Sequence, residues 1–329
     1  MPDQLTLASQ ADGSFEVHRK PTRRDVFLAE MDKVVPWSAL CALIEPHYPK
    51  PRADGGGRPA VGLERMLRIH LLQQWYALSD PAVEEALYDS VAMRRFVGID
   101  LGREPVPDET TVCKFRHLLE KHKVAERLFE AVSKHLHDRG LKLSKGTIVD
   151  ATILGAPSST KNRDKARDPE MRQTKKGNQW YFGMKAHIGV DEGTGLVHTV
   201  VTTAANEADV TQVDKLLHGK EKAVFADAGY IGAEKRVPTK RGRRWWIAAK
   251  RSTIKAIEDE KLRGIMEELE QAKASIRAAV EHPFRVVKRQ FGHMKARYRG
   301  LAKNGAQVVT LFALANLWIA RKHLLATTG

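Results

Sequence analysis

The sequence predicts an α/β protein in which an all-helical N-terminal module precedes a domain built on one mixed sheet. Two patterns predict this class. Through about residue 140, apolar residues recur at intervals of three and four, the period of a helix packed on one face. After Gly146, short β-branched runs alternate with helical segments, which is typical of a sheet covered by helices. We therefore divide the chain into a flexible polar arm (1–22), a helical domain (23–143) and a mixed-sheet domain (144–329).

Start and stop signals define the helices of the N-terminal module. The predicted helices cover 27–35, 63–78, a segment that opens at Asp108, and about 125–138. Pro36 ends the first of them, and Gly140 ends the last. Ser79-Asp80-Pro81 is predicted as a stop, a cap and a restart, because Pro81 suits a first helical turn.

Five β-branched or aromatic runs are predicted as the strands of the second domain: 147–154, 180–190, 196–203, 224–227 and 245–249. A hairpin turn is predicted at 191–195, and a short helix at 209–217. Residues 158–177 are polar and basic, so we predict a loop there. From 283 to 299 the apolar residues keep three-four spacing, which predicts an amphipathic helix that ends at Gly300.

The composition favours a nucleic-acid partner and an intracellular location. Lys and Arg total 55 against 40 acids, a formal charge of +15, and such an excess favours polyanion binding. The first residues lack the apolar core of a signal peptide, and the longest apolar run, 308–320, is short for a membrane span. Cys41 and Cys113 are too few for a zinc cluster. We expect a cytoplasmic, nucleoid-associated protein with no membrane partner.

Two aspartates lie in otherwise apolar strands. Asp150 interrupts the run 147–154, and Asp227 closes the run 224–227. A buried carboxylate is unfavourable unless it is paired or binds a metal. Either aspartate alone is more readily explained as an ion pair or a turn cap. The two together, on core strands of one sheet, favour a magnesium site, because Mg²⁺ prefers hard oxygen ligands.

A third ligand is predicted at Glu281, in the pattern Arg277-x3-Glu281-x6-Lys288. On a helix these residues and Arg285 share one face, which puts three cations around one acid. Salt bridging on a solvated helix is the alternative explanation. From His282 to the C-terminus the chain has no Asp or Glu although Lys and Arg continue, which favours phosphates as partners of those cations.

Cations near the predicted acids are further candidates for DNA contacts. Lys161 lies in the basic loop after Asp150, where contact with the DNA backbone and simple solvation are equally good explanations. Lys185 and His187 share one face of the predicted strand 180–190, which we expect beside Asp150. Lys185 is a candidate phosphate ligand, whereas His187 is more readily explained as a core histidine.

Taken together, these motifs resemble those of the bacterial insertion-sequence DDE transposases. The segments that resemble the three acid motifs are Gly-Thr-Ile-Val-Asp-Ala-Thr around Asp150, Ala-Asp-Ala-Gly-Tyr around Asp227, and the Arg277-to-Lys288 pattern, which matches the end of a Tyr-x2-Arg-x3-Glu-x6-Lys signature. A further resemblance is to one group of these transposases, the five-type group of the four-type insertion-sequence superfamily. It rests on the segments 156–161, 180–187 and 314–317, with Arg58-Pro59 and 107–111. The resemblance covers the chain after about residue 20 and departs at Ala274, where the signature has tyrosine.

The resemblance implies a ribonuclease-H-like catalytic domain preceded by a helical DNA-binding domain. It implies cleavage and strand transfer of double-stranded DNA at terminal inverted repeats and into target DNA. Asp150, Asp227 and Glu281 would be the catalytic ligands of two Mg²⁺ ions, for which Mn²⁺ substitutes. The residues then expected to bind DNA are Arg277, Lys288, Arg285, Lys185 and Lys161. Pairing two element ends implies a homodimer in the DNA complex.

Two other functions fit the same residues. A metal-dependent nuclease of this fold would cut DNA without strand transfer. A DNA-binding regulator, or an inactive relic, would bind without cutting. The three intact acids argue against the second alternative, because a binding protein has no need of metal ligands.

Overall fold

The structure of the protein, a computed structural model, describes residues 20–50, 60–237 and 242–327. Most of the predicted arm and the Arg58-Pro59 motif lie outside the described residues. The chain forms two compact units, 1–132 with 320–329, and 133–319. The predicted domain boundary at 143 falls in the connection between the last helix of the helical region and the first strand.

Short capped helices build the first unit. In its described part these are α1 (Arg23–Val34), α2 (Trp37–Ile44), α3 (Leu63–Tyr76), α4 (Asp80–Asp89), α5 (Val91–Val97), α6 (Glu109–Lys121) and the start of α7 (Val124–Asp138). Helices do start at the two predicted places: the Ser79 hydroxyl accepts from the N–H of Ala82 as one N-cap, and the Asp108 carboxylate accepts from that of Thr111 as the other. The all-helical prediction for this region is therefore confirmed.

Arginines tie these helices to one another. The Arg68 guanidinium lies 2.7 Å from the Asp32 carboxylate and 4.1 Å from the centre of the Trp37 ring. Arg116 lies 2.9 Å from Asp80 on another helix. Both side chains are largely shielded from solvent, so these cations stabilise the helical packing.

One mixed sheet forms the centre of the second unit. Its strands are β1 (Gly146–Gly155), β2 (Arg172–Lys176), β3 (Gln179–Asp191), β4 (Val197–Ala204), β5 (Ala223–Ala226) and β6 (Arg244–Ile247). The order is β2-β3-β1-β5-β6, and β4 also pairs with β3. β1 is antiparallel to β3 and parallel to β5, and β5 is parallel to β6. The α/β class and the ribonuclease-H-like sheet are thus confirmed.

Helices cover both faces of this sheet. They are α8 (Val213–Leu216), α9 (Arg251–Lys255), α10 (Glu260–Arg277), α11 (Glu281–Arg285) and α12 (Leu301–Ala326). On one face, Leu216 of α8 packs in a cluster with Val149 of β1. On the other, α12 approaches β4 so closely that a Cβ on Gly305 would lie 2.8 Å from the Thr202 hydroxyl. Because side chains alternate along strands, the ladder registers put Asp150 on the α12 face.

The predicted loop at 158–177 is wrong at its end. Residues 172–176 form β2, which pairs with the first residues of β3 across a two-residue turn. Most side chains of β2 are exposed. A strand that is polar on both faces lacks the apolar alternation by which a half-buried strand is recognised, and this is why the sequence pattern missed it.

The predicted helix at 283–299 is wrong over most of its length. α11 ends at Arg285, and 286–290 form a single π-helical turn. Gly292 then adopts a left-handed φ of +73°, which ends the helical path. The chain continues extended, and the Ala296 N–H donates to the Gly155 carbonyl at the end of β1 over 2.8 Å.

Asn304 stabilises this non-helical path. Its side-chain oxygen accepts from the N–H groups of Arg297 and Tyr298, and its amide nitrogen donates to the carbonyls of Tyr298 and Gly300. Gly300 therefore precedes α12 and does not end a helix. The apolar stripe that suggested a helix is used by a compact turn, in which Phe291 is buried.

The long helix α12 is apolar because it is a core helix. Among the described residues it is the one helix that is long and apolar enough to cross a membrane by length and composition. However, 61% of its apolar window is buried inside the protein. Its residues Leu311, Leu314 and Leu317 are fully buried.

A buried amide joins α12 to the sheet. The Val197 N–H at the start of β4 donates to the Asn316 side chain over 2.8 Å, and the Asn316 amide donates to the Val197 carbonyl over 2.7 Å. Asn316 is 1% exposed. This pair of bonds gives a structural role to the Leu-Ala-Asn-Leu segment noted in the sequence.

We predict that Asn316→Leu lowers the free energy of unfolding by about 3 kcal/mol, because both backbone groups of Val197 lose their partner in a buried place. Urea denaturation measures the change. The control is Lys303→Ala on the exposed side of the same helix, which should shift stability by less than about 0.5 kcal/mol. Equal stabilities of the two variants would contradict this role for Asn316.

Candidate catalytic site

The two predicted aspartates meet at the carboxyl ends of neighbouring parallel strands. The register pairs Val149 of β1 with Ala226 of β5, and the next residue on each strand is an aspartate. Asp150 remains within β1, whereas Asp227 lies just past β5. Parallel strands bring such residues to the same edge of the sheet, and open α/β sheets bind ligands at that edge.

Burial and repulsion act on Asp150. Burial raises the pKa of Asp150 to about 6, and the negative charge of Asp227 acts in the same direction. The Ala151 N–H, which donates to Asp150 Oδ1 over 2.7 Å, and the positive charge of Arg277 partly offset this rise. A cation bound between the carboxylates would relieve both effects.

Asp227 is held by its own turn. It caps a short 3₁₀ turn, and its Oδ1 accepts the Gly229 N–H over 2.9 Å. A Cβ on Gly229 would lie 3.0 Å from that oxygen, so the small residue permits the close approach. The other carboxylate oxygen is left for a further partner.

The segment of the third acid lies against β1, but it does not complete a cluster. Arg277, at the end of α10, acts electrostatically on Asp150, and residues 278–280 pack against β1. Glu281 follows as the first residue of α11, with an exposed side chain. Across the described residues, no three His, Cys, Asp or Glu side chains are gathered in a geometry that could hold a metal ion.

Lys288 supports β1 directly. Its ammonium donates to the Thr152 hydroxyl over 2.7 Å and to the Ile153 carbonyl over 3.0 Å. Burial lowers the pKa of Lys288, and the charge of Lys176 acts in the same direction. Thr152 shares the face of Asp150, so Lys288 fixes the strand beside the acids.

Lys185 and His187 lie on the other face of the sheet. β3 does flank Asp150, as we expected, but the register pairs Asp150 with Ile188 and puts the two polar residues in line with Ile153 and Ala151. The Lys185 ammonium donates to the Asp209 carboxylate over 2.9 Å and to the Glu207 carbonyl over 2.7 Å. These contacts hold the loop that follows β4.

His187 is a core histidine, as the sequence favoured. It is fully buried, and its Nε2 lies 2.8 Å from the Thr203 hydroxyl on β4. Burial lowers the pKa of His187 to about 4, which keeps the ring neutral.

Behind the acids, Tyr230 fills the sheet face opposite Asp150. Its ring is fully buried in the cluster that contains Val149, and burial raises the pKa of its phenol. The Tyr230 hydroxyl has no hydrogen-bond partner among the residues that the structure describes. Its place in the Ala-Asp-Ala-Gly-Tyr segment was visible in the sequence, but the burial that explains it was not.

The remaining predicted DNA ligands lie at the surface. Lys161 is exposed in the loop after β1, and Arg285 is exposed at the end of α11. Arg277 is half-buried near Asp150, and Ala274 lies on an exposed side of α10. Sequence reasoning missed Asp209, the partner of Lys185, because a lone acid at the start of a short helix resembles an ordinary cap.

Comparison with known proteins identifies the family. Residues 142–317, more than half of the chain, match the family described as Transposase DDE domain. The chain belongs to this family. Residues 15–118 match the family described as Transposase domain (DUF772). Membership of the five-type group stays a prediction.

Among solved structures, piggyBac transposase in a synaptic complex with hairpin DNA aligns with a TM-score of 0.44 and 12% sequence identity. The alignment covers 94% of this chain and 78% of that chain.

The family match decides the general function. The protein is a DNA transposase, an enzyme that cleaves and transfers DNA strands, and DNA is its partner. DDE transposases generally use divalent metal ions. Asp150 and Asp227 fit such an ion in position and chemistry. Both are hard oxygen donors at the same end of the sheet, and a cation between them would offset their mutual repulsion.

We predict that Asp150→Asn raises the free energy of unfolding by about 2 kcal/mol at pH 7.5 in metal-free buffer. The folded-state pKa of Asp150 lies above its ordinary value, so its ionised form destabilises the fold above pH 6. The gain should shrink as the pH falls from about 6 toward 4, because the native carboxyl then takes up a proton. Urea denaturation across this range measures it.

The control is Asp214→Asn, which changes an exposed acid on α8. It should show no such dependence on pH. Stability of Asp150→Asn equal to or below that of the native protein at pH 7.5 would contradict the repulsion described above.

Proposed function

We propose that this transposase cleaves DNA at the terminal inverted repeats of an insertion sequence and joins the ends to target DNA, with Asp150, Asp227 and Glu281 as its catalytic residues. One observation carries the proposal. In a chain of the DDE family, two carboxylates directly follow the last pair of a parallel ladder, one on each of two neighbouring strands.

We propose Mg²⁺ as the ion, with two ions bound during the reaction and Mn²⁺ as a substitute. Such ions activate the attacking oxygen and stabilise the leaving oxygen of an in-line displacement at phosphorus. Asp150 and Asp227 would hold them. Hard carboxylate donors support this assignment, as do the burial and, to a lesser extent, the Asp227 charge that raise the pKa of Asp150.

Glu281 is proposed as the third ligand. It lies about one helical turn after Arg277, whose charge already acts on Asp150. Its carboxylate is exposed and free of the core, so its side chain is available to a metal when DNA is present. Arg277 would offset negative charge where the scissile phosphate approaches the two aspartates.

DNA contacts are proposed for the cations around this edge. Lys161 and Arg285 are exposed, and Arg277 lies near the acids, so all three are placed to bind phosphate. Lys288 donates to β1 and would act by positioning that strand, with its third N–H left for phosphate. For Lys185, also expected to bind DNA, the contacts with Asp209 and Glu207 support a structural role.

A homodimer is proposed for the DNA complex, because two element ends must be cut and joined together. The helical region would supply further DNA contacts, consistent with its match to a transposase domain. Action on chromosomal DNA implies a cytoplasmic, nucleoid-associated protein.

The test uses purified full-length protein, Mg²⁺ and a supercoiled plasmid that carries the DNA flanking the protein's own gene. We expect cuts at the two element ends together with joined products. Asp150→Ala, Asp227→Ala and Glu281→Ala should each reduce cleavage by at least about 100-fold and leave DNA affinity within about twofold. Asp214→Ala is the matched control acid.

Other outcomes would overturn parts of the proposal. Cuts without joined products would indicate a nuclease, and binding without cuts in Mg²⁺ or Mn²⁺ would indicate a regulator. Full activity of Glu281→Ala would remove Glu281 from the metal site. Equal loss of binding and cleavage in Asp227→Ala would contradict its role as a ligand.

We predict that substitution of Lys185 affects protein stability, whereas substitution of Lys161 affects DNA binding. Lys185→Met should lower the free energy of unfolding by about 2 kcal/mol, because it leaves the Asp209 carboxylate without its ion pair. Lys161→Ala should leave stability unchanged and weaken DNA binding, with the slope of log K against log salt reduced by about one. Urea denaturation and fluorescence anisotropy measure the two effects. A salt slope reduced only by Lys185→Met would contradict these assignments.

A further inference from the structure

The β2–β3 hairpin is a two-stranded ribbon that projects from the sheet. Lys175 pairs with Trp180, Lys176 pairs with Gln179, and Gly177 with Asn178 forms the turn between them. We call residues 172–181 the ribbon. Most of its side chains are exposed on both faces, so it contributes little to the core.

The ribbon has the composition of a surface that binds a polyanion. From Met171 through Val190 the sequence contains no Asp or Glu. Its cations and amides are Arg172, Gln173, Lys175, Lys176, Asn178 and Gln179. These groups are hydrogen-bond donors, and the amides also accept.

Trp180 is the most exposed large apolar residue of the described chain, at 64%. A solvent-exposed indole adds nothing to folding, and aromatic side chains gain free energy when a partner covers them. Because Trp180 and Lys175 are directly opposed on the ladder, an apolar ring and an ammonium lie on one side of the ribbon.

The base of the ribbon is firmly attached beside the catalytic site. Gly183 pairs with Arg172 on one side and with Gly155 of β1 on the other, and the Ala156 N–H donates to the Phe182 carbonyl over 2.8 Å. A bound partner would therefore be held in a fixed position relative to β1.

The ribbon also reaches back toward the acids. The charge of Lys176 lowers the pKa of Asp150 and of Lys288, so its ammonium lies within electrostatic range of both. DNA whose scissile phosphate sits at Asp150 would thus extend along the ribbon.

We propose that the ribbon enters the major groove of the duplex next to the scissile phosphate and reads its base pairs. The inference rests on the proposed function and adds a sequence-reading element to the catalytic domain. A two-stranded ribbon fits the major groove, which is about 12 Å wide. Gln173, Lys175 and Trp180 share one face of the ribbon, because side chains alternate along each strand. Gln173 has the donor and acceptor pair that recognises adenine, and Trp180 supplies an apolar surface for a thymine methyl group. Lys175 binds the adjoining phosphate.

The ribbon contains no acidic residue, and this favours DNA over a protein as its partner. A protein surface that fits the ribbon would need an acidic patch, whereas a DNA groove presents phosphates along both rims.

The test measures binding without cutting, in the Asp150→Ala background with Mg²⁺. Fluorescence anisotropy compares a duplex from the DNA flanking the protein's gene, spanning the cut site, with a random duplex. We expect Gln173→Ala combined with Trp180→Ala to lower the affinity ratio of the two duplexes by at least about tenfold. Lys175→Ala should weaken both duplexes equally and reduce the salt slope by about one.

Two control variants match these changes outside the ribbon. Ile265→Ala removes another large apolar side chain, 62% exposed, and Lys261→Ala removes an exposed lysine, both on α10. Neither should change the affinity ratio. Protection of guanine N7 from methylation beside the cut should be present with the Asp150→Ala protein and lost in the Gln173, Trp180 double variant, because N7 lies in the major groove.

Failure of this inference can be told apart from failure of the proposed function. If the native protein makes no Mg²⁺-dependent cut in the flanking DNA, the proposed function fails. If it cuts there, but the double variant keeps the affinity ratio and the N7 protection, the ribbon does not read the groove. Equal loss of affinity for both duplexes in the double variant would reduce the ribbon to a phosphate contact and overturn groove reading.

Discussion

Two negatively charged carboxylates lie at the ends of neighbouring strands, and groups of the second unit offset part of their repulsion. The parallel register of β1 and β5 makes Asp150 and Asp227 adjacent, so the negative charge of Asp227 opposes ionisation of Asp150. Backbone N–H groups and the Arg277 charge offset part of the repulsion. Burial, together with the remaining repulsion, raises the pKa of Asp150, an effect that a bound divalent cation would reverse. The arrangement lowers the stability of the fold, which fits the metal site proposed at these two acids.

The two faces of the sheet have different surroundings. Residues on the face of Asp150 meet α12 and the π-helical turn, from which Lys288 donates to Thr152. The opposite face is a packed core, in which Tyr230 and His187 are fully buried. The Lys185–Asp209 ion pair on that face links β3 to the loop after β4. Two buried asparagines of α12 bind backbone groups of the loop before it and of β4. Polar side chains in this interior therefore position the backbone around the two acids for which catalysis is proposed.

Local periodicity predicted most of the helices and strands. The caps at Ser79 and Asp108 and the apolar strands around Asp150 and Asp227 depend on interactions within a few residues, so the chain order reveals them. The prediction at 283–299 was wrong because a three-four apolar stripe serves a compact turn equally well once Gly292 adopts a positive φ and β1 offers a hydrogen-bond partner. β2 was missed because its stability comes from pairing with β3 and not from burial.

The sequence by itself determined which residues have the chemistry of the site: two strand-borne aspartates, a Glu281 segment flanked by cations, and a basic excess that calls for DNA. Only the tertiary structure decided how they are used. Strand register put Lys185 and His187 on the face away from Asp150. Tertiary packing brought the Lys288 ammonium into hydrogen-bond contact with β1 and the Lys176 charge within electrostatic range of Asp150. The physical reason is that side chains alternate across a strand, so a residue's face depends on pairing with distant segments, which local spacing does not encode.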